Sequence, residues 1–528
     1  MGAQGEGDAV RAREALLRRL LATRGPLSVE EIRRRYDFPA TWLERTLAAW
    51  AEEGRVARVG EQWCDRANLE QARRRTLALL RREVQPVPLA RYIDFLARWQ
   101  HVHPAHRLPA ASGLRRAIQQ LRAFPAPALL WTRDLLPARV EGFRAAQLEG
   151  LCQAGEAVWV GAGGDSPAHL RACFLFRGEG SLYLPPEATG ARLGEAAGRV
   201  LAFLRAEGAC FTADLQRGTG LRGDALALAL VELVAAGLVT NDSLRALYEL
   251  VRFRPAAGPR ALSTLEAQLA ERWGGPHERR PGRLREARRR AARRVAAAQP
   301  WVGRWSLVHR PGTWGADASP EEQLDRQARL LLARYGIVAR ECLARERLPA
   351  RWGDLYACFE ALEMRGEVRR GYFVEGLSGA QFALPEAVER LRGGEAPAAG
   401  EEPFVVLNAC DPAWFAGSLV AAHLQTAGGE PLAIARRPGT YVVLQRGEPV
   451  LVAEHWGQRL GAPAGVEGSR LAEALQACFS AIAARSGRRR IAVMTWDGRP
   501  VLGSAGQAAL ERIGAYPHAP AVEWAAEP

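Results

Sequence analysis

Arg55 and Arg58 stand one and four residues after Gly54, and Arg369 and Arg370 stand three and four after Gly366. Guanidinium groups are planar, permanently charged forks that match the oxygens of a phosphate. Four of them at similar distances from two glycines outline a surface for a polyanion. Arg45 and Arg351 lie upstream, on or beside the helical stretch that leads to each glycine. The whole chain leans the same way. Its 72 basic and 58 acidic residues give a formal charge of +14 over 528 residues, a field that favours nucleic acid. The sequence contains no lysine, so every basic residue is arginine. A Walker A loop needs lysine on the β- and γ-phosphates, and a side-chain Schiff base needs its amine; both chemistries are excluded. Other clusters are weaker. His101, His103 and His106 put three imidazoles in six residues, but no nearby cysteine or carboxylate completes a usual zinc set, and Pro104 marks a loop; no metal is expected. Gly161-Ala162-Gly163-Gly164 follows a strand but opens no helix of dinucleotide-fingerprint length. The eight cysteines are scattered in apolar surroundings, which suits inert thiols in a reducing compartment. No cofactor is expected.

The elements that must position these arginines repeat. Gly54 is preceded by Leu43, Leu47 and Trp50 at −11, −7 and −4, Gly237 by Leu226, Leu230 and Leu233, and Gly366 by Leu355, Phe359 and Leu362. Gly155 keeps Leu148 and Leu151, with Arg144 at the first place. The spacing is one apolar helical face, the glycine a helix stop. Val56, Val239 and Val368 at +2 begin a strand. Helix, glycine and strand in this order are the second half of a winged helix, and the irregular spacing argues for separate domains rather than a solenoid. The first halves fit as well. Ser28 with Glu31, and Thr41 with Glu44, read as capping boxes; Ser319 before Pro320 starts the helix entering the last unit. Trp159 and Asn241 stand where the other two units carry Arg58 and Arg370, so the second and third units read as spacers or protein contacts.

The expected fold class is α+β, mainly helical: tandem winged-helix domains followed by a small β-barrel-like or α+β module. Winged helices are expected at 1–75, 131–190 (degenerate), 195–254 and 301–392, with a helical connector at 76–130. Residues 255–300 read as a basic, disordered linker, because 279–294 carry nine arginines, Arg288, Arg289 and Arg290 among them; such an arm adds non-specific affinity for phosphates. The module at 402–528 contains strand-like runs at 404–408, 440–445 and 449–454, a helix at 468–485 and a strand at 490–496. No apolar run approaches the ~20 residues of a membrane span, and the N-terminus lacks a signal-peptide core, so a cytoplasmic protein with no membrane partner is expected.

Longer words carry a resemblance. Residues 61–102 (EQWCDRANLEQARRRTLALLRREVQPVPLARYIDFLARWQHV), 236–247 (AGLVTNDSLRAL), 303–308 (GRWSLV), 370–385 (RGYFVEGLSGAQFALP) and 406–413 (VLNACDPA) resemble, in order, the C-terminal half of the bacterial large helicase-related proteins, Lhr. The resemblance implies winged helices with a β-barrel module, similar in fold to AlkZ-type DNA glycosylases, and a role in DNA repair. The family's C-terminal half is linked to oligomerisation and to uracil-DNA glycosylase activity, so a homo-oligomer and a separately encoded helicase motor are possible partners. The RecA-like motor is not expected in this chain, in keeping with the missing lysine. Two stretches depart from the family: Trp414-Phe415-Ala416-Gly417 replaces an Asn-Pro-Tyr-Gly-like run, and Glu523 stands near the end where the family has an Asp. The paired glutamines of AlkZ-type enzymes have no counterpart, and Gln381 reads as structural.

A monofunctional glycosylase needs a polar group to position water and a pocket for the flipped base. Asp411, at the end of an apolar strand, and Glu454, in a hairpin strand, are the candidate carboxylates, with Glu523 behind them. Asp before Pro is commonly a turn former, and Trp99, a conceivable wedge, is spaced for core packing with Tyr92 and Phe95. Binding therefore comes first: a DNA-binding array without a motor, holding duplex or branched DNA without sequence preference. A uracil or damaged-base glycosylase is the alternative, and an oligomerisation scaffold a weaker one.

Overall fold

The computed structural model describes residues 2–72, 75, 85–187, 193–255, 302–393, 402–415, 424–432, 434–466 and 468–526. The arginine run with Arg288, Arg289 and Arg290, and the linker expected at 255–300, fall outside the described residues save for their first position. The chain divides into two compact bodies, Met1–Gln85 with Leu362–Tyr372, and Pro86–Ala361 with Phe373–Pro528; the first to fourth units are the four winged helices.

The four glycines decide where four helices end. Gly54, Gly155, Gly237 and Gly366 have φ of 73°, 73°, 74° and 79°, a left-handed conformation that only glycine adopts without a Cβ clash. In each case the amide after the glycine donates to the carbonyl four residues before it: Arg55 to Trp50 (2.8 Å), Glu156 to Leu151 (2.9 Å), Leu238 to Leu233 (3.0 Å) and Glu367 to Leu362 (3.0 Å). This is the Schellman motif. The same acceptor residues sit at −4 in the apolar pattern, so one residue both fills the core and closes the helix. Arg144 breaks the pattern because the second helix, Ala145–Gln153, is shorter than the 13-residue helices of the other units; Arg144 is its exposed N-cap residue.

In the first unit, helix Gly2–Thr23, strand Leu27–Ser28, helices Val29–Arg35 and Ala40–Glu52, and strands Val56–Val59 and Gln62–Asp65 follow one another. The last strand lies between the other two. Leu17, Leu21, Ile32, Leu43, Leu47 and Trp50 form the core. The capping box at Ser28 is present in both directions, with Glu31 N donating to Ser28 Oγ (3.2 Å) and Ser28 N to Glu31 Oε2 (2.7 Å). The one expected at Thr41 is not: the helix already starts at Ala40 behind Pro39, because proline holds an extended cap conformation and Leu43 N reaches its carbonyl at 3.0 Å.

In the second unit the same order recurs. Helix Ala110–Leu121, inside the expected connector, is the first helix of the second winged helix; strands Ala126–Pro127, Arg171–Phe176 and Ala157–Gly161 form its sheet. The third winged helix runs from helix Glu195–Glu207 to strand Arg304–Leu307. That last strand pairs with both Cys210–Phe211 and Val239–Asn241, so residues 303–308 close the third unit rather than open the fourth. Helix Leu244–Arg252 follows wing strand Val239–Asn241 and precedes wing strand Arg304–Leu307 in the chain. The second and third units share one core. Thr240 Oγ1 donates to the Trp159 carbonyl (2.5 Å), and a Cβ on Gly161 would lie 1.7 Å from the Val234 carbonyl oxygen. The glycine run at 161–164 thus serves a close backbone approach. The fourth winged helix has the same succession: helices Pro320–Tyr335, Arg340–Leu343 and Trp352–Met364, with strands Ile337–Val338, Arg369–Gly371 and Gln381–Ala383. Ser319 Oγ caps its first helix, accepting from Glu322 N at 3.2 Å.

Of the two forms expected for the C-terminal module, barrel-like or α+β, the structure has the α+β one, without a closed barrel. Its six strands run in the order Val405–Asn408, Tyr441–Gln445, Glu448–Glu454, Arg459–Gly461, Thr495–Trp496, Arg499–Pro500, leaving the first and last as open edges. The first three strands are largely apolar and buried because both of their faces are covered. Val406, Tyr441, Val443 and Leu451 pack with Phe479 and Ile482 of helix Gly468–Ser486. The alternate residues Val405, Leu407, Val442 and Val452 pack with Ile93 and Ala97 of helix Leu89–Trp99. A second sheet holds Arg490–Val493, Ala521–Ala525 and Tyr516–His518.

Candidate nucleic-acid interface

Each winged helix offers a helix and a wing, but not to the same degree. Helix Ala40–Glu52 buries Leu43, Leu47 and Trp50 and leaves Arg45 exposed. Arg55, just before the following strand, and Arg58, on it, are exposed; Arg55 meets Glu53 at 2.9 Å, and Arg58 lies 5.9 Å from the Trp63 ring. Arg33, Arg34 and Arg35, not singled out from the sequence, are exposed in the last turn of the preceding helix. The third unit is the opposite case. Helix Gly223–Ala235 buries Leu226, Ala227, Ala229, Leu230, Val231 and Leu233, and the less buried stripe it keeps, Asp224, Ala225, Leu228 and Glu232, carries no basic residue. Asn241 is buried with its Oδ1 on Ser243 N, and Trp159 donates to the Ser243 carbonyl. The charge-poor positions are the ones spent on packing the two units together. In the fourth unit Arg351 is exposed, but Arg369 and Arg370 are half-buried. Arg370 pairs with Glu363, itself 3% exposed, at 3.3 Å, so this wing presents less free charge than its sequence implies.

Asp411 lies inside a cage. It is 1% exposed and meets Arg139, which is fully buried, in a two-pronged pair with both contacts at 2.8 Å. Arg139 also donates to Gln100 Oε1 (3.0 Å) and to the Leu135 carbonyl (2.9 Å), and Asp411 Oδ1 accepts from Ala413 N (2.8 Å). Arg345 holds the backbone of the same turn at the carbonyls of Asp411, Pro412 and Trp414. Both carboxylate oxygens are occupied by a fixed charge, an arrangement for joining segments rather than for activating water. Trp99 is also committed, donating to the Ala333 carbonyl at 2.9 Å and stacking on Phe95. Gln381 accepts from Phe373 N and Val374 N. His103 Nε2 contacts Glu402 Oε1 at 2.9 Å, and Arg98 bridges Glu402 and Asp94. These three acid and imidazole groups lie close enough for a metal, but the Arg98 guanidinium already supplies the positive charge between the carboxylates. Glu523 bonds His518 (2.9 Å) and Tyr516 (3.1 Å) on the second sheet.

Glu454 is the candidate carboxylate that faces open space. It ends the strand Glu448–Glu454 and borders a cavity of about 330 Å³, within the range of small-molecule sites. Pro127, Ala128, Leu130 and Leu170 of the second winged helix form an apolar wall, and Arg133, Arg437, His169, His455 and Trp456 a polar rim. Two backbone irregularities meet here. His455 and Trp456 both have positive φ, 50° and 57°, costly for non-glycine residues and a recurrent mark of functional sites. Residues Trp131–Leu135 form a π-helical turn, equally common at such sites. It leaves Arg133 half-buried and buries Asp134, which holds Arg133 Nε at 2.8 Å and accepts the Tyr441 hydroxyl at 2.9 Å. Burial and the Asp134 charge push the Tyr441 hydroxyl pKa up, so it remains a donor. Ser166 and Asp165 both bond the same nitrogen, Nδ1, of His169, which rules out a nucleophile relay there.

Residues 87–177 and 317–403 match the models of two winged-helix domains described for the large helicase-related protein. These segments are large helicase-related winged-helix domains. Over 460 residues the chain is 32% identical to "Lhr helicase/ probable uracil glycosylase" of Mycolicibacterium smegmatis, covering 84% of this chain and 29% of that protein. It is 28% identical over 476 residues to "Lhr helicase/uracil glycosylase" of Escherichia coli, with the same two shares. The chain thus spans less than a third of the curated relatives it matches. The solved Streptomyces sahachiroi DNA glycosylase AlkZ aligns over 78% of this chain and 100% of its own at 18% identity, with a TM-score of 0.39. Within the large helicase-related frame, the residues that sequence reasoning missed are Arg133, Asp134, His455 and Trp456. The one signal for the first pair was an Arg-Asp step inside the apolar run LLWTRDLL; nothing along the chain linked it to Glu454.

Proposed function

We propose that this protein is a DNA-binding, repair-associated winged-helix array that carries no ATPase motor in these 528 residues and works beside a helicase motor. One observation carries the reading. The first winged helix turns its apolar helix face inward and leaves Arg45, Arg55 and Arg58 exposed on the helix and wing that a groove would receive. Contacts of this kind go to phosphates and carry little sequence information, so binding is broad and salt-sensitive. The test is binding of a fluorescent duplex across a salt series. Wild type gives a log–log slope of several units, and the triple change Arg45→Ala, Arg55→Ala, Arg58→Ala lowers affinity for all sequences alike. Unchanged affinity in that variant would refute the assignment.

The cavity favours a second reading, removal of uracil or another base without a metal. Both matched relatives carry uracil glycosylase in their names, and Glu454 is the carboxylate that borders the space. Incubation with deoxyuracil-containing DNA in the presence of chelator, followed by alkali, reads this directly. Strand scission that disappears in Glu454→Gln supports it; intact DNA that still shifts in a gel leaves the binding array alone.

A further inference from the structure

We infer that the surface around Trp456 is a second seat for the phosphate backbone of DNA, held by Arg133, Arg437 and Arg488. The inference rests on the DNA-binding reading and adds a contact made wholly within the body Pro86–Ala361 with Phe373–Pro528, whereas Arg45, Arg55 and Arg58 belong to the other body. Three distant parts of the chain meet at one indole. Arg133 comes from the π-helical turn Trp131–Leu135, and its guanidinium carbon lies 5.6 Å from the Trp456 ring centroid. Arg488, just before strand Arg490–Val493, lies 5.1 Å from the same centroid. Both distances are within reach of the attraction between a guanidinium and an aromatic ring. The loop that carries Arg437 is tied in through its backbone: the Trp456 amide donates to the Gly439 carbonyl at 2.8 Å, and Arg133 Nη2 to the Pro438 carbonyl at 3.0 Å. A Cβ on Gly439 would come within 3.0 Å of the Trp456 ring, so the loop and the indole are in close contact. The positive φ values of His455 and Trp456, 50° and 57°, are the backbone cost of placing the indole there.

The charge balance says what such a surface would take. Arg437, Arg488 and the adjacent Arg489 are exposed, and none of them pairs with a carboxylate among the described residues. Exposed arginines elsewhere in the same body do: Arg115 pairs with Glu156, Arg245 with Glu249 and Arg329 with Asp325. Arg133 has Asp134, but that carboxylate is 1% exposed and also holds the Tyr441 hydroxyl. Glu454 is the single carboxylate on the cavity that Arg133, Arg437 and Trp456 line, so positive charge is left over. Like charges gathered in one place repel one another, and a polyanion relieves that repulsion while releasing its own counterions. Exposed guanidinium forks on separate segments suit the repeated phosphates of a backbone, and contacts of this kind position the nucleic acid without reading its sequence.

The test uses the full chain and a fluorescent, fully paired duplex across a salt series. Arg437→Ala with Arg488→Ala removes two exposed charges; Arg133 is kept, because its loss would leave buried Asp134 without its partner. Arg115→Ala with Arg245→Ala is the control, removing the same net charge where a carboxylate already holds each arginine. The first pair of changes should lower the log–log salt slope by about two units, one for each lost phosphate contact, and the control pair should leave it in place. Circular dichroism melts check that both proteins fold. A slope unchanged by Arg437→Ala with Arg488→Ala would overturn the inference while the first winged helix stands. An equal drop in both double variants would overturn it too, since the overall field rather than a local seat would then be at work. If that pair lowers the slope while Arg45→Ala, Arg55→Ala and Arg58→Ala together do not, the second seat stands and the assignment to the first winged helix falls. Wild type that binds no duplex at all would overturn both.

Discussion

Replacing Asp411 by asparagine separates a structural carboxylate from a catalytic one. The pair it makes with Arg139 is closed to water, with side-chain exposures of 0% and 2%. Removing one partner of a buried pair leaves the other charge uncompensated and costs about 3–5 kcal/mol. At roughly 2–4 °C per kcal/mol for a cooperative unit of 150–250 residues, the melting temperature should fall by about 6–20 °C. The geometry adds a second expectation. Arg139 links helix Leu136–Arg139 of the second winged helix to the turn after strand Val405–Asn408, so the loss should appear in one transition shared by both. Replacing the pair together, Arg139→Met with Asp411→Leu, removes the orphan charge and should restore most of the loss, because a packed apolar pair is commonly as stable as a buried ionic one. Differential scanning calorimetry of the three proteins decides it. An Asp411→Asn protein that melts like wild type yet loses base removal would refute the structural assignment and return Asp411 to the chemistry.

The salt slope for duplex binding should shrink by about one unit for each of Arg45→Ala and Arg58→Ala, and by less for Arg370→Ala, whose charge is already shared with Glu363; a larger effect at Arg370 would move the interface to the fourth wing. Gly161→Ala should destabilise by about 1–3 kcal/mol through overpacking, since its Cβ would meet the Val234 carbonyl oxygen at 1.7 Å; urea unfolding that leaves the midpoint in place would contradict the fusion of the second and third units. Burial, and then the Arg98 charge, lower the pKa of His103. A histidine with a depressed folded pKa is neutral when folded, so its stability term is intact above the unfolded value of about 6.5 and is lost as pH falls below it. Thermal melts between pH 7.5 and 5 should therefore drop further for wild type than for His103→Gln, and parallel curves would count against it.

Much of the architecture was local and hence readable in the chain. A Schellman cap needs a glycine and a helix face at fixed offsets, and both are sequence properties, so four helix ends stood out. Two hairpin turns are local in the same way: Arg446 and Gly447, and Asp497 and Gly498, have the paired positive φ values (54° and 77°, 47° and 77°) of two-residue turns. The long words of the resemblance fixed the family. What the sequence could not supply was partnership between distant segments. Strand Arg304–Leu307 pairs with Val239–Asn241 across more than sixty residues, so the third unit was ended too early. Helix Leu89–Trp99 covers one face of the C-terminal sheet, which made an apparent connector part of a core, and of the two forms expected for that module the open α+β one is found. The site followed the same rule. Which arginines remain exposed depends on which helix faces the neighbours bury, and whether Asp411 or Glu454 meets open space depends on Arg139, 272 positions away. Charge and residue type are written in the chain; desolvation, and with it function, is decided only by what folds against each group.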